Sequence, residues 1–302
     1  MKFSVWPSSE RPVDEVLDLA RWADDSGWFG VWYADHYMSD SGGAELTPGD
    51  LHEAWSMLAA IATVTSKVRL GPLVSPTSVH HPALLANRSS TIDHLSSGRF
   101  VLGLGAGWQI NEHLAYGIEL EKPKERVGRF EESIQIVRSL LDNDRTNFEG
   151  EFYTFSDAPC DPKPIQEKLP ILVGTSGKRM CRITARHAQE WNTWGGPEMA
   201  AESTETFIAA CEAVEVDPAT IHTSVQALFF LTDDDEKANK IRNGDLAKRS
   251  IAGSANYIVE QLGRYADLGI NEVIIPDFTF GQTAERRREK YERFNTEIKS
   301  QI

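Results

Sequence analysis

Eight times along this chain a short β-rich run is followed by a stretch with helical periodicity, and this alternation restricts the fold more than any other feature. The runs are Lys2–Trp6, Gly30–Ala34, Val68–Val74, Phe100–Leu104, Ile171–Gly174, Glu190–Thr193, His222–Leu231 and Val273–Pro276. Several are almost continuously apolar, the pattern of parallel strands buried on both faces. Repeated strand–helix units build either a closed barrel or an open doubly wound sheet, and eight of them favour the barrel. The expected fold class is therefore α/β, a TIM (β/α)8 barrel. No composition shift or linker divides the chain, so residues 1–302 are expected to form one barrel domain.

Amphipathic helices lie between the strands. Val13, Val16, Leu17, Ala20 and Ala23 recur at helical spacing, as do Val127, Phe130, Ile134, Val137 and Leu141. Two more helices are expected over Ser254–Leu268, with Ser254 as its cap, and over Thr283–Lys299. One segment interrupts the alternation. Thr146–Asp157 reads as a small hairpin around Gly150, an insertion after the fourth helix. In such a barrel the chemistry sits at the carboxyl ends of the strands, so the strand exits carry the functional information.

Composition narrows the partners. A net charge of −14 argues against nucleic acid, whose phosphates need a basic surface, and against anionic lipid. The opening Met1-Lys2-Phe3-Ser4-Val5-Trp6-Pro7 lacks the apolar core of a signal peptide, and no apolar run reaches membrane-spanning length. Cys160, Cys181 and Cys211 are far apart and unpaired in spacing, which fits reduced thiols in a cytoplasmic protein. The expected partner is a small-molecule substrate.

Five strand exits could contribute to a site. The second ends in Trp32-Tyr33-Ala34-Asp35-His36, where an adjacent acid and imidazole can orient a ring and supply a proton near neutral pH. The third leaves through Leu70-Gly71-Pro72-Leu73-Val74-Ser75-Pro76 towards His80-His81. Successive side chains of an extended chain diverge, so the two histidines do not form a joint ligand pair, and no metal site is expected. The fourth, Gly103-Leu104-Gly105-Ala106-Gly107-Trp108, has its third glycine one residue early for a dinucleotide loop. Its glycines allow a flat ligand close to the backbone, with Trp108 available to pack against it. The fifth runs into Gly174-Thr175-Ser176-Gly177-Lys178, whose hydroxyls and amides at a helix start suit an anion. Beyond the sixth strand, Trp194 within Trp191-Asn192-Thr193-Trp194-Gly195-Gly196 suits the wall of a pocket. Arg286-Arg287-Arg288, among glutamates on the last helix, reads as a solvated face.

Taken in order, these segments resemble the bacterial luciferase-like superfamily, and within it the coenzyme F420-dependent oxidoreductases of actinobacterial type. The resemblance covers nearly the whole chain. It rests on Phe3-Ser4-Val5-Trp6-Pro7, Gly30-Val31-Trp32-Tyr33-Ala34-Asp35-His36 and Thr91-Ile92-Asp93-His94-Leu95-Ser96-Ser97-Gly98-Arg99. It continues in Leu104-Gly105-Ala106-Gly107-Trp108, Asn111-Glu112-His113, Ala158-Pro159-Cys160-Asp161-Pro162-Lys163-Pro164 and Glu190-Trp191-Asn192-Thr193-Trp194.

The resemblance implies a deazaflavin, F420, or alternatively FMN, held at the barrel mouth. It places Asp35 and His36 at the ring system, with His36 transferring a proton. Leu73 and Val74 would form a bulge behind the ring, joined by a cis peptide bond. Ala106, Gly107 and Asn111 would follow the cofactor chain, and Gly174, Thr175, Ser176 and Gly177 its phosphate, with Trp108 and Trp194 completing the wall. Two departures stand out. Sugar-phosphate dehydrogenases of this group carry a glutamate where Trp108 stands, which counts against that substrate. The phosphate loop is Gly-Thr-Ser-Gly rather than a run of glycines. The implied activity is hydride transfer between F420 and a small organic substrate, in a homodimer. The alternatives are an FMN-dependent monooxygenase on the same fold and a non-catalytic flavin-binding protein. The loops at Ser39–Asp50 and Thr232–Ser250, which would set the substrate, carry no recognisable pattern.

Overall fold

The computed structural model describes residues 1–47 and 49–302. The elements follow in order as β1 (Lys2–Trp6), α1 (Val13–Asp25), β2 (Gly30–Tyr33), α2 (Ala54–Val64), β3 (Arg69–Pro72), β4 (Ser75–Pro76) and α3 (Pro82–Ser96). Next come β5 (Leu102–Gly105), α4 (Ile110–Ala115), α5 (Pro123–Asp142), β6 (Thr146–Glu149), β7 (Thr154–Ala158), β8 (Ile171–Gly174) and α6 (Lys178–His187). The last part holds β9 (Glu190–Trp194), α7 (Pro197–Glu212), β10 (His222–Gln226), β11 (Leu228–Leu231), α8 (Asp235–Arg242), β12 (Ser250–Gly253), α9 (Ala255–Asp267), β13 (Glu272–Pro276) and α10 (Ala284–Arg293).

Among the described residues, nine strand segments form one parallel sheet in the order β3-β2-β1-β13-β10-β9-β8-β5-β4. Its two ends, β3 and β4, are halves of one strand, so the sheet curls into the expected (β/α)8 barrel. The break between them is Leu73–Val74, whose peptide bond is cis, as the resemblance implies. The first half pairs with β2 and the second with β5, and a bridge between Leu70 and Phe100 closes the seam. The β6–β7 hairpin lies outside the barrel, after α5. Helix α1 buries Val16, Ala20 and Ala23 of the expected stripe together with Leu19, while Leu17 is half-buried and Val13 is exposed, and Ser254 caps α9 by accepting from the Tyr257 amide.

Three expectations need correction. Arg287, in the arginine run read as a solvated face, is buried and pairs with Glu15 at 2.6 Å. The run His222–Leu231 is not one strand. It breaks at Ala227, so that β10 lies in the barrel between β9 and β13 while β11 leaves to pair with β12. Strand β12 itself was not predicted, because Ser-Ile-Ala-Gly is too short to show a period and gains its register only from β11. Likewise the helix expected over Thr283–Lys299 ends at Arg293 and passes into a wider turn over Phe294–Ile298.

The barrel interior is layered. Its middle is apolar, with Trp6, Trp32, Leu73, Val101, Leu172 and Ile274 packed together. Its amino end is closed by charge. Glu272, with no exposed surface, accepts from Ser4 Oγ at 2.5 Å, Trp32 Nε1 at 2.8 Å and His222 Nε2 at 3.0 Å. Arg69 lies 3.8 Å from the same carboxylate and makes a two-pronged contact to Glu190. Six strands thus meet in one polar knot. Charge buried this deeply is tolerated only when paired and hydrogen-bonded.

Burial alone would raise the Glu272 carboxyl, but the Arg69 charge and the bonds from His222 and Ser4 outweigh it and hold the group at about 2. A carboxyl depressed in the folded state contributes stability above its ordinary pKa and loses it as pH falls through the folded value. Unfolding free energy is therefore expected to fall between pH of about 4.5 and about 2. Glu272→Gln, which removes one of Arg69's two carboxylate neighbours and leaves Glu190, is expected to cost about 1–3 kcal/mol near neutral pH and to flatten that acid slope. Denaturant unfolding at stepped pH measures both, and equal slopes in the two proteins would contradict the assignment.

Candidate functional site

At the opposite, carboxyl end the barrel opens into a cavity of about 520 Å³. His36, Leu73, Val74, Ala106, Gly107, Trp108, Gly174, Thr175, Ser176 and Trp194 all line it, so ten of the sequence-predicted site residues come together from five different strand exits. Val74 forms the floor. A Cβ built on Gly105 would meet Val74 Cγ2 at 2.7 Å, so the bulge occupies the room that a side chain on β5 would need. Gly107 has φ +90°, and a Cβ there would lie 2.0 Å from Ser78 Oγ. This turn, available to glycine alone, delivers Trp108 to the cavity rim.

Three predicted residues do not line the cavity. Asp35 is 1% exposed and lies behind the wall, because neighbouring side chains on an extended strand point to opposite sides and His36 takes the cavity side. Its Oδ2 accepts from Trp55 Nε1 at 3.1 Å, Ser75 Oγ at 2.5 Å and His80 Nε2 at 2.9 Å. Burial pushes this carboxyl up, yet the His80 and Ser75 contacts dominate and leave it below the usual range. Asp35 therefore ties the end of β2 to α2, β4 and the segment leading into α3, and fixes the backbone that carries His36. Asn111 is wholly buried on the inner side of α4, where Nδ2 donates to the carbonyls of Ser39 at 2.9 Å and Glu45 at 3.2 Å. It holds a loop. Gly177 is the residue before α6 and sits on the exposed rim, its amide donating to Thr175 Oγ1 at 3.2 Å.

The residue that sequence reasoning missed is Glu112. It is 2% exposed, lines the cavity, and accepts from His36 Nδ1 at 3.1 Å through one oxygen and from the Tyr37 amide at 2.9 Å through the other. A carboxylate can only accept, so Nδ1 carries the hydrogen and Nε2 is left as the ring nitrogen able to take or give a proton. Trp108 stands edge-on to the same imidazole, with centroids 5.6 Å apart. Two cations were also missed. Arg126 from α5 and Arg249 ahead of β12 both line the cavity, the first with a buried Nε that has no partner among the described residues.

On the far wall the Asn192 and Gln226 amides pair with each other, and Trp6 and Trp194 pack at 5.6 Å. The two adjacent histidines part company as expected. His80 binds Asp35, and His81 caps α3 through the Ala83 amide.

Residues 1–247 match the family described as luciferase-like monooxygenase. This chain belongs to that family. The F420-dependent glucose-6-phosphate dehydrogenase of Microbacterium testaceum is 28% identical to it, covering 92% of this chain and 91% of its own. The solved coenzyme F420 dependent tetrahydromethanopterin reductase of Methanopyrus kandleri superposes with a TM-score of 0.82 at 17% identity, over 99% of both chains. The monooxygenase RslO1 of Streptomyces bottropensis does so with a TM-score of 0.83 at 20% identity, over 100% of this chain and 99% of its own. At those identities the two structures speak for the barrel alone.

In this luciferase-like barrel the Gly107 turn is the most constrained piece of the cavity wall. Gly107→Ala is expected to lower stability by about 1–3 kcal/mol, the cost of forcing a side chain into left-handed backbone. Chemical denaturation tests this, and a neutral effect would show that the turn can relax away from Ser78.

Proposed function

We propose that this chain is an F420-dependent oxidoreductase that transfers a hydride between the deazaflavin and a small organic substrate. The observation that carries this reading is the His36–Glu112 pair. It places one oriented imidazole at the wall of a cavity with a flat, glycine-relieved floor. The choice of F420 over FMN is supported by the relative that is alike along nearly its whole length.

The donor set fits such a cofactor. Val74 and Gly105 leave a level floor for a planar ring, and Trp6 offers a buried indole N–H with no partner among the described residues. Thr175 and Ser176, the start of α6 with no side chain capping it, and Arg126 together suit a phosphate. When bound, F420 supplies a two-electron hydride carrier poorly suited to oxygen activation.

The chain's own residues then have separate tasks. Val74 and Leu73 support the ring from below, and the cation and hydroxyls hold the anionic end. His36 Nε2 delivers or accepts the proton that accompanies the hydride. Glu112 keeps Nδ1 protonated and the imidazole in place, as Asp35 does for the backbone beneath it. Trp108 stands over His36 as an apolar wall with no carboxyl, which is poor chemistry for a sugar phosphate.

Titration with the two cofactors side by side is expected to show tighter binding of F420; micromolar FMN affinity with no F420 binding would favour the monooxygenase instead. His36→Asn is expected to lower turnover by about 10²–10⁴ with folding stability nearly unchanged. Glu112→Gln is expected to cause a smaller loss and to move the pH profile of turnover, a readout that a purely structural contact would leave in place.

A further inference from the structure

Helix α4 carries a second buried titratable side chain, which the proposed chemistry does not use. His113 follows Glu112 and is 1% exposed. Its Nδ1 lies 2.6 Å from the Gln109 carbonyl, which can only accept, so Nδ1 carries the hydrogen. In the neutral ring Nε2 is then an acceptor, and it takes the Ser78 hydroxyl at 2.9 Å. These two partners flank a single residue. Gln109 follows Trp108, and Ser78 packs against Gly107 before it, with Oγ 2.0 Å from where a Cβ on that glycine would stand.

The turn is gripped from both sides. Gly107 holds it in the left-handed region at φ +90°. Gln109, itself 1% exposed, donates through Nε2 to the Met38 carbonyl at 2.8 Å, which ties the turn to the exit of β2. The indole that the turn presents is 57% exposed, so its backbone rather than enclosure by neighbours sets where it stands. It stands against His36, with ring centroids 5.6 Å apart and planes at 82°.

We propose that His113 is a positioning residue of this site: through Ser78 and Gln109 it clamps the Gly107–Gln109 turn and so holds Trp108 edge-on to His36. Successive residues of one short helix then set both members of that contact. Glu112 fixes the imidazole through Nδ1, and His113 fixes the indole beside it. The indole in turn limits how the imidazole rotates and how much water reaches it. An apolar side chain at 113 would leave the Ser78 hydroxyl and the Gln109 carbonyl without this partner and free the turn to move. The bearing on catalysis rests on the proton transfer proposed for His36, whereas the positioning itself depends on no cofactor.

Diethyl pyrocarbonate acylates an unprotonated imidazole nitrogen, and peptide mass spectrometry after timed exposure reads that rate at His36 alone in the full-length protein. Trp108→Ala is expected to raise the His36 rate by about threefold or more, because it uncovers the ring. Ser78→Ala and His113→Leu are expected to raise it as well, with the fold intact by circular dichroism. Combined with Trp108→Ala, neither is expected to add to the rate, since changes that act through one contact are not additive. His113→Asn, whose amide nitrogen replaces Nδ1 at the Gln109 carbonyl, is expected to lie closer to wild type than His113→Leu. Ser78→Ala removes only a hydroxyl and decides the question alone if His113→Leu does not fold. A wild-type His36 rate in Trp108→Ala, or in Ser78→Ala and folded His113→Leu, would overturn the proposal. So would additive rates in the double variants, which would place the effect of His113 elsewhere than on Trp108. F420 titration of the same samples keeps the two readings apart: failure of F420 to bind refutes the proposed function, whereas the His36 rates alone decide the positioning.

Discussion

The Glu272 carboxylate has no exposed surface and is held by Arg69, His222, Ser4 and Trp32, and the rest of the barrel is arranged around that knot. Closing eight strands into a tube leaves an interior that must be filled. This chain fills it from the bottom with charge, then with an apolar layer, and leaves the cavity lined by His36 and Val74 at the carboxyl end. Removing Arg69 would leave Glu190 and Glu272 uncompensated in a low-dielectric interior, so the knot favours the strand order and register that bring these groups together.

The same device recurs at the mouth on a smaller scale. Asp35 gathers Trp55, Ser75 and His80 behind the wall, and Glu112 gathers His36 and Tyr37 beside it. Two buried carboxylates from different parts of the chain thereby determine where one imidazole points. The proton transfer proposed for His36 needs this kind of support, because small misplacements are costly in rate. The anchoring of Glu112 has a further consequence. By fixing the rotation of α4 it turns Ile110 and Leu114 outward, so the support of His36 and the exposure of these two side chains are set together.

Chemistry and recognition are divided among different elements. The floor and imidazole come from strand exits, which the barrel holds rigidly. The cations Arg126 and Arg249 and the rim residue Trp108 come from the segments that follow the strands, where a fold can vary its substrate without disturbing its core.

The sequence by itself determined the alternation of strands and helices, the hairpin after α5, the glycine-rich exits and the presence of His36, Val74, Thr175 and Trp194 at one barrel end. These follow from periods of 2 and 3.6 residues and from backbone rules that act within a few positions. Only the tertiary structure decided which way neighbouring side chains faced. Asp35 went behind the wall and His36 into it, Asn111 turned to a loop and Gly177 to the rim. Ala227 broke a run that looks continuous in sequence, and β12 formed only because β11 offered it a partner. Glu112 stood in plain view within Asn111-Glu112-His113, yet nothing local marked it, because its partner His36 lies 76 residues away. Contacts across such separations depend on how helices and strands pack on one another, and a one-dimensional pattern carries the identity of the groups but not the direction in which the fold points them.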